Sequence, residues 1–376
     1  MIPLPKPRLI PALTGVRAFI AWWVVLFHAQ SHLLALVPEF DWIVRPIVGS
    51  GHMRVDIFFV LSGFVLSYRY APEFQTARGT GYTAFMLRRL WRIYPLHLIT
   101  LLALLLLAGV AALSGRDPGL LRHSDGFDVI TNLLLIQAWI LPMKFSWNYP
   151  AWSLSSEWLA YLTFPALSAL LWRVRSAWAA LAGAAVLLTG MSISCTWMLN
   201  EGIYGYDFMI RLVTEFTAGC LLYHVYRAGI LQHWRWDILT PAIFVASLLL
   251  GVWMEVQGYK VFWLVLLFAM ILFGLAHEGG PAVRLFESRP MQYWGRRSYS
   301  LYITHALSIY LLAAVFPAAG FEDSGTGLRV VLFVVYIAFM GLVGVFTYRY
   351  LEEPLRRMDF NRWRFRRGKA VNSVKQ

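Results

Sequence analysis

Charged side chains are scarce in this 376-residue sequence: Asp, Glu, Lys and Arg make up 14% of it, whereas 59% of the residues are hydrophobic. In soluble domains about a quarter of the residues are charged. A water-exposed fold of this length could not bury so much apolar surface, because its surface still needs polar cover. The composition therefore excludes an ordinary soluble domain and predicts a protein that faces lipid.

Cysteine is almost absent as well. Cys195 and Cys220 are the two cysteines, and both stand in apolar runs, which excludes a disulfide framework and a cysteine-based zinc cluster. The sequence also lacks a Walker-type motif, a glycine-rich dinucleotide motif and a His/Glu zinc motif. We therefore predict no metal site and no nucleotide-hydrolysing machinery.

Long apolar segments are what the sequence has in abundance. A helix needs about 20 apolar residues to cross a hydrocarbon core of about 30 Å. An even number of crossings returns the C-terminus to the side of the N-terminus. The predicted fold is all-α and integral to the membrane, with about ten transmembrane helices, at residues 16–37, 52–70, 93–113, 152–172, 177–199, 207–226, 238–256, 259–277, 298–317 and 328–348.

The distribution of positive charge predicts the orientation. With these ten spans, 25 of the 33 Lys and Arg residues fall on the side that holds both termini. Cytoplasmic loops carry such an excess, so both termini are expected in the cytoplasm and the protein in the cytoplasmic (inner) membrane. The cytoplasmic excess of Lys and Arg thereby explains the net charge of +13, and no nucleic-acid partner is expected. The N-terminal segment has no small-residue cleavage motif, so the first span is expected to be retained.

The chain is predicted to form one membrane domain over residues 1–350, followed by a basic cytoplasmic tail over residues 351–376. Arg alternates with Trp and Phe in the tail, which fits a segment on the anionic inner leaflet or a simple topogenic charge cluster. The longest outer connection, residues 114–150, contains an apolar stretch at 128–141 that is too short to cross. We expect this stretch to be re-entrant or interfacial.

Arg17 and His28 form the sharpest pair of polar residues in the first span. Eleven residues separate them, so they lie on nearly the same helix face and about 16 Å apart along the axis. His28 is thereby expected near the middle of the bilayer, where a neutral imidazole can act as a base. The alternatives are a hydrogen bond from His28 to another helix and an Arg17 side chain that extends to the interface.

Glu157 follows Asn148, Trp152 and Ser153 at the start of the fourth span. Counted from the outer edge, Glu157 comes to within roughly 5 Å of the depth of His28. We therefore predict that Glu157 orients and stabilises the imidazole, as the acid does in hydrolase triads. The alternative is a buried carboxyl that is protonated or paired with Arg. The sequence pattern around Trp152 is more typical of an interfacial aromatic belt than of a ligand contact.

Arg89 and Arg92 stand one helical turn apart in the expected cytoplasmic turn between the second and third spans. Guanidinium groups suit phosphates, whereas ordinary positive-inside charge explains the same pattern equally well. Asp56 and His305 are two further polar residues within spans. Each of these two residues could contact either another helix or the substrate.

Six stretches in order resemble the acyltransferase 3 family. Arg17 and His28 form the first, and the others are VDIFFVLSGFVLS at 55–67, RRLWRIYPLH at 88–97, NYPAWSLSSEW at 148–158, YSLYITHA at 299–306 and YLEEPLRR at 350–357. The resemblance implies a ten-helix membrane fold that acylates extracytoplasmic carbohydrate, lipid-linked sugar or small metabolites such as macrolides. It also implies acyl-coenzyme A, most often acetyl-coenzyme A, as the donor.

By this resemblance His28 and Glu157 are catalytic, and Arg17, Arg89 and Arg92 bind the donor. Asp56, Asn148, Trp152, Ser153 and His305 are expected to contact the acceptor. Some family members carry a soluble hydrolase-like domain after the last span, and the sequence here predicts transfer by the membrane domain alone. The rival interpretation is a transporter or flippase of a glycan intermediate, which commonly shows inverted repeats that we do not find in this sequence.

Overall fold

The structure is a computed structural model. It describes residues 9–49, 51, 54–74, 81–115, 124–277, 279–315 and 324–357, and in this part of the chain the regular structure is helical, with no strand. The α-helices of the described residues are α1 (Pro11–Leu36), α2 (Asp41–Gly49), α3 (Arg54–Tyr70), α4 (Tyr82–Leu113), α5 (Gly126–Leu133), α6 (Trp152–Leu171), α7 (Ala177–Asn200), α8 (Asp207–Arg227), α9 (Trp236–Val256), α10 (Leu264–Leu275), α11 (Gly280–Glu287), α12 (Arg289–Val315), α13 (Thr326–Thr347) and α14 (Glu353–Arg357).

Each of the ten predicted spans coincides with one of the long helices or, for residues 259–277, with a short 3₁₀ turn followed by α10. By length and composition, seven helices of the described chain are able to cross a membrane. An eighth results if the segments Val261–Leu275 and Gly280–Glu287, bent by 83°, are counted as one span. The all-helical fold with several candidate membrane spans is thus confirmed, whereas ten crossings and cytoplasmic termini stay predictions.

Helix α4 corrects the prediction of a turn before the third span. It begins at Tyr82 and continues through Arg89, Arg92 and Pro95 to Leu113. Hydropathy locates the apolar part of a helix, whereas the helix itself extends further when charged side chains can reach a polar cavity or the interface. The two arginines therefore belong to a long helix rather than to a connecting turn.

The residues after the third span enter the bundle without crossing it. Helix α5 has eight residues, which is far too short for a span, and turns follow it up to Asn148. The Asn148 side chain donates to the backbone oxygen of Ile303, at the centre of α12, over 3.1 Å. Helix α6 consequently begins deep in the bundle.

Helices α3 and α8 approach each other through glycines. A Cβ on Gly63 would lie 2.0 Å from the oxygen of Phe216, and a Cβ on Gly219 would lie 2.1 Å from the oxygen of Val60. Only glycine permits backbones to come this close, and small residues serve this purpose in membrane helices. The contact brings Asp56 of α3 and Arg211 of α8 into one ion pair.

Of the predicted basic tail, α14 and the preceding π-helical turn are described. The Glu352 side chain at this turn accepts a hydrogen bond of 2.6 Å from Ser300 of α12 and pairs with Arg356 at 3.2 Å. The first residues of the predicted tail are therefore joined to the membrane domain. Residues 358–376 lie outside the described part of the chain.

Candidate functional site

Two cavities lie along the same helices, and we name them by their position along α1. The inner cavity, of about 120 Å³, lies nearer the N-terminal end of α1. The outer cavity, of about 740 Å³, lies nearer its C-terminal end. Arg17 lines the first and His28 lines the second, so the predicted pair is divided between the two.

The inner cavity collects the predicted donor-binding arginines. Arg17 from α1 and both Arg89 and Arg92 from α4 line it, together with Glu157 from α6. Arg17, Arg92 and Glu157 are close enough to interact electrostatically. Glu352, which does not line the cavity, also interacts with Arg17 and Arg92, so three guanidinium groups against two carboxylates leave this region positive, as a site for phosphate groups requires.

Arg89 is held in place by aromatic neighbours. Its Nη2 donates to the hydroxyl of Tyr70 over 2.5 Å, and its guanidinium carbon lies 4.8 Å from the centre of the same ring. The side chain is buried at 7% exposure, so its position is fixed by contacts within the bundle. A topogenic arginine would extend into solvent, and this one instead faces a cavity.

Glu157 is bonded on the inner side of the bundle. Its Oε1 accepts hydrogen bonds from Ser62 at 3.2 Å and from the hydroxyl of Tyr161. Both donors line the inner cavity. The carboxylate is therefore placed to act on whatever enters beside the arginines.

His28 meets a second histidine in α12. Nδ1 of His28 lies 3.0 Å from Nε2 of His305, whose Nδ1 lies 2.5 Å from the backbone oxygen of Tyr302. The two ring planes differ by 14° and the centroids are 5.0 Å apart. Because the nitrogens are about 2 Å closer than the centroids, the rings meet edge to edge, in the geometry of an in-plane hydrogen bond.

These contacts assign the tautomers. A carbonyl oxygen only accepts, so Nδ1 of His305 carries a proton, and the Nε2 of this neutral, 1% exposed ring is an acceptor. Nδ1 of His28 must then donate to it, and the lone pair of the neutral His28 ring is on Nε2. The pair thus holds His28 in the tautomer that a general base needs.

A thin wall separates the two cavities. Ser153 and Tyr302, which line the inner cavity, share a hydrogen bond of 2.6 Å, and Tyr302 also reaches the oxygen of Pro150 at 3.0 Å. Trp152, next in sequence to Ser153, faces the outer cavity. This part of α6 therefore lies between the two cavities.

The predicted contact of Glu157 with His28 is not found. They line different cavities, and His305 occupies the position that was assigned to the carboxylate. Helix α6 begins deep in the bundle, not at the outer edge of the membrane as the prediction assumed. Since α6 begins beside Ile303, Glu157 on its second turn lies lower, at the level of Arg17.

The predicted acceptor-binding residues are also separated by the structure. Asp56 is completely buried and bonded to Arg211 at 2.7 Å, and it lines neither of the two cavities. Asn148 secures the start of α6, as described above. Trp152 is 7% exposed and lines the outer cavity, so the interfacial-belt interpretation of it is wrong. His305 contacts His28 and lines neither of the two cavities, so its contact with a substrate stays a prediction.

One ionic cluster was missed from the sequence. Arg211 binds Asp56 and, at 3.3 Å, Asp207, and the fully buried carboxyl of Glu215 lies beside Asp56. The three residues of α8 follow each other at intervals of four within a predicted span. Charged residues at that spacing inside a span are a signal that the sequence offered.

The model of the acyltransferase 3 family, described as an acyltransferase domain, matches residues 10–349. Acyltransferase MdmB of Streptomyces mycarofaciens is 35% identical over 163 residues, which cover 43% of this chain and 40% of that protein. O-acetyltransferase OatA of Staphylococcus aureus is 21% identical over 407 aligned positions, covering 98% of this chain and 61% of the relative.

The chain thus spans about two fifths of one of these curated relatives and three fifths of the other. No solved structure matches it. The family match covers nearly all of the described helices, including both cavities and the residues that line them. From its match over residues 10–349, the chain belongs to the acyltransferase 3 family.

Proposed function

We propose that the protein transfers an acyl group, acetyl in the simplest case, from cytoplasmic acyl-coenzyme A to a hydroxyl of an extracytoplasmic glycan or lipid-linked sugar. The observation that carries this proposal is the arrangement of the two cavities. A positive inner cavity and an outer cavity with an oriented histidine lie on either side of Trp152 and Ser153 of α6. A reaction between substrates from opposite sides of the inner membrane requires such an arrangement.

The inner cavity is the proposed donor site. The phosphates of coenzyme A bind Arg89 and Arg92, since charge-assisted hydrogen bonds from guanidinium groups favour phosphate. The thioester arm then extends along α1 from Arg17 toward His28, a rise of about 16 Å. Its passage displaces the hydrogen bond between Ser153 and Tyr302.

The outer cavity is the proposed acceptor site. Its volume of about 740 Å³ lies within the usual range of about 300–1,000 Å³ for ligand pockets. Aromatic side chains dominate its walls, and they offer flat apolar faces to a ring-shaped acceptor. They are Phe27, Phe145, Trp147, Tyr149, Trp152, Tyr204, Phe208, Phe262 and Tyr310.

In the proposed reaction, Nε2 of His28 removes the proton from the acceptor hydroxyl. The oxygen attacks the thioester carbonyl, the bond from carbon to sulfur breaks, and the leaving thiolate takes the proton from His28. A positioned base contributes about 10²–10⁴-fold to such a step. An alternative mechanism, in which His28 carries the acyl group transiently, uses the same geometry.

Experiment can separate this proposal from two alternatives, a different acceptor and a carrier function. The size and aromatic lining of the outer cavity also suit a small secondary metabolite such as a macrolide as acceptor. A carrier of a glycan intermediate would use the same two cavities without chemistry. Only an acyltransferase releases free coenzyme A in proportion to acylated acceptor.

The test is reconstitution of the purified full chain in lipid with acetyl-coenzyme A and either a mixed glycan or a macrolide acceptor. We expect thiol release together with an acceptor mass increased by one acetyl group. The His28→Ala variant, at a matched amount of folded protein, should lose about 10²-fold or more of this activity. Movement of the acceptor without thiol release would identify a carrier and refute the proposal.

A further inference from the structure

A third cavity, of about 840 Å³, opens where α6 ends, α7 begins and α8 ends. It is separate from the two cavities described above and shares no lining residue with them. We call it the terminal cavity. Its lining residues are Trp172, Arg173, Val174, Arg175, Ala177, His224, Arg227 and Ala228.

The terminal cavity is cationic. Three of its eight lining residues are arginines, and no carboxylate lines it. In the described part of the chain, neither Arg173, Arg175 nor Arg227 forms an ion pair. Three exposed guanidinium groups around one concavity give it a positive potential that attracts anions.

The residues that line the terminal cavity suit an anion at a membrane surface. The guanidinium of Arg227 lies 4.0 Å from the centre of the Trp172 ring, which fixes the arginine beside an aromatic residue of the kind enriched at lipid headgroups. Ala177, at the first turn of the 24-residue helix α7, also lines the cavity. This helix N-terminus is offset by the C-terminal ends of α6 and α8, which border the same cavity, so the positive potential of the cavity comes from its arginines.

We propose that the terminal cavity binds the phosphate of an anionic phospholipid headgroup. Helices α7 and α8 both have the length and composition of membrane spans, so the cavity between their ends lies at the depth of headgroups. Basic pockets between transmembrane helices on the cytoplasmic side recognise such lipids. The site is independent of the proposed acyl transfer, because none of its residues lines the inner or outer cavity.

The experiment compares the full chain in nanodiscs of phosphatidylcholine alone and in nanodiscs that also contain phosphatidylglycerol. Native mass spectrometry after release should show phosphatidylglycerol retained on the protein. Replacing the arginines together, as Arg173→Gln, Arg175→Gln and Arg227→Gln, should weaken retention about a hundredfold, since each charge contributes roughly fivefold at an anionic surface.

A matched control removes the same charge on the same side of the bundle but outside the cavity. The triple variant Arg284→Gln, Arg289→Gln and Arg296→Gln serves this purpose, because these three arginines are exposed and line none of the cavities described above. Equal loss of retention in both triple variants would show general surface attraction and overturn the proposal.

Inorganic phosphate provides the second arm. It should bind far more weakly than the lipid, because it lacks the anchoring of acyl chains beside the helices. If inorganic phosphate protects the parent protein against thermal unfolding as well as phosphatidylglycerol does, the site belongs to a soluble anion and the proposal fails. Folding of each variant is checked by its thermal midpoint in phosphatidylcholine alone.

Discussion

Nε2 of His305 accepts a hydrogen bond from Nδ1 of His28 over 3.0 Å, and this contact joins α12 to α1 beside the outer cavity, which His28 lines. In hydrolase triads a carboxylate holds the basic imidazole from the same side. Here a neutral ring does so, and the backbone oxygen of Tyr302 fixes that ring in turn. A neutral acceptor avoids the cost of burying an additional charge.

We therefore predict different outcomes for two substitutions of His305. In His305→Gln the amide oxygen can still accept from His28, so the rate of acyl transfer should stay within about tenfold of the parent. In His305→Leu no acceptor remains, and the loss should approach the full contribution of a positioned base, about 10²-fold or more. Rates are compared at equal amounts of folded protein with radiolabelled acetyl-coenzyme A.

Equal losses in these two variants would show that His305 does more than orient its neighbour. Measuring the pH profile of both separates a change of tautomer from a loss of folding, because unfolding lowers the rate at every pH alike.

Substitution of the donor-site arginines should act on coenzyme A alone. Arg89→Ala and Arg92→Ala are each expected to raise the KM for acetyl-coenzyme A about ten- to hundredfold, since one charge-assisted hydrogen bond contributes roughly 1.5–3 kcal/mol. Arg88→Ala is the matched control, because Arg88 is an exposed arginine on the same helix that does not line the inner cavity. A similar KM in all three variants would return the arginines to a topogenic role.

Glu157 and His28 should act independently. They line different cavities, and residues without a shared partner usually have additive effects on the free energy of activation. The losses of Glu157→Gln and His28→Ala should therefore multiply in the double variant. A double variant scarcely slower than His28→Ala would show that the two work as one unit, against the geometry described here.

The sequence was sufficient for the helical membrane fold because apolar length is a local property. It also predicted that Arg17, Arg89 and Arg92 have a common role, and the structure brings them to one cavity. Their identity as donor ligands stays a prediction. Arg89 and Arg92 do lie one helical turn apart, as predicted, although the segment that contains them is part of α4 and not a turn.

The sequence could not predict how deep each polar side chain lies in the bundle. The position of Glu157 depends on how far residues 114–150 enter the bundle, and this is set by a long-range contact between Asn148 and α12. The partner of His28 depends on the packing of α1 against α12. Neither contact leaves a periodic signal within one segment, and counting residues from an assumed membrane edge gave the wrong neighbour.

The Asp56–Arg211 pair should matter for stability. Arg211 is the cation that Asp56 and Asp207 share, so Arg211→Gln leaves two buried carboxylates without it and is expected to lower the free energy of unfolding by about 3–5 kcal/mol. Asp41→Asn is the control, because it breaks an exposed pair with Arg45 that should contribute at most about 1 kcal/mol. Denaturation in detergent measures both, and equal effects would contradict the assignment.

The glycine contact between α3 and α8 limits how the protein can open. With no side chain between Gly63 and Gly219, these helices cannot slide or separate without backbone collision or loss of the ion pair between Asp56 and Arg211. We therefore expect α3 and α8 to move as one unit. Any widening that lets a thioester through is expected between α6 and α12, which in the described residues are joined by the hydroxyl-to-hydroxyl bond of Ser153 and Tyr302, and a spin label on either of those two helices would register the motion.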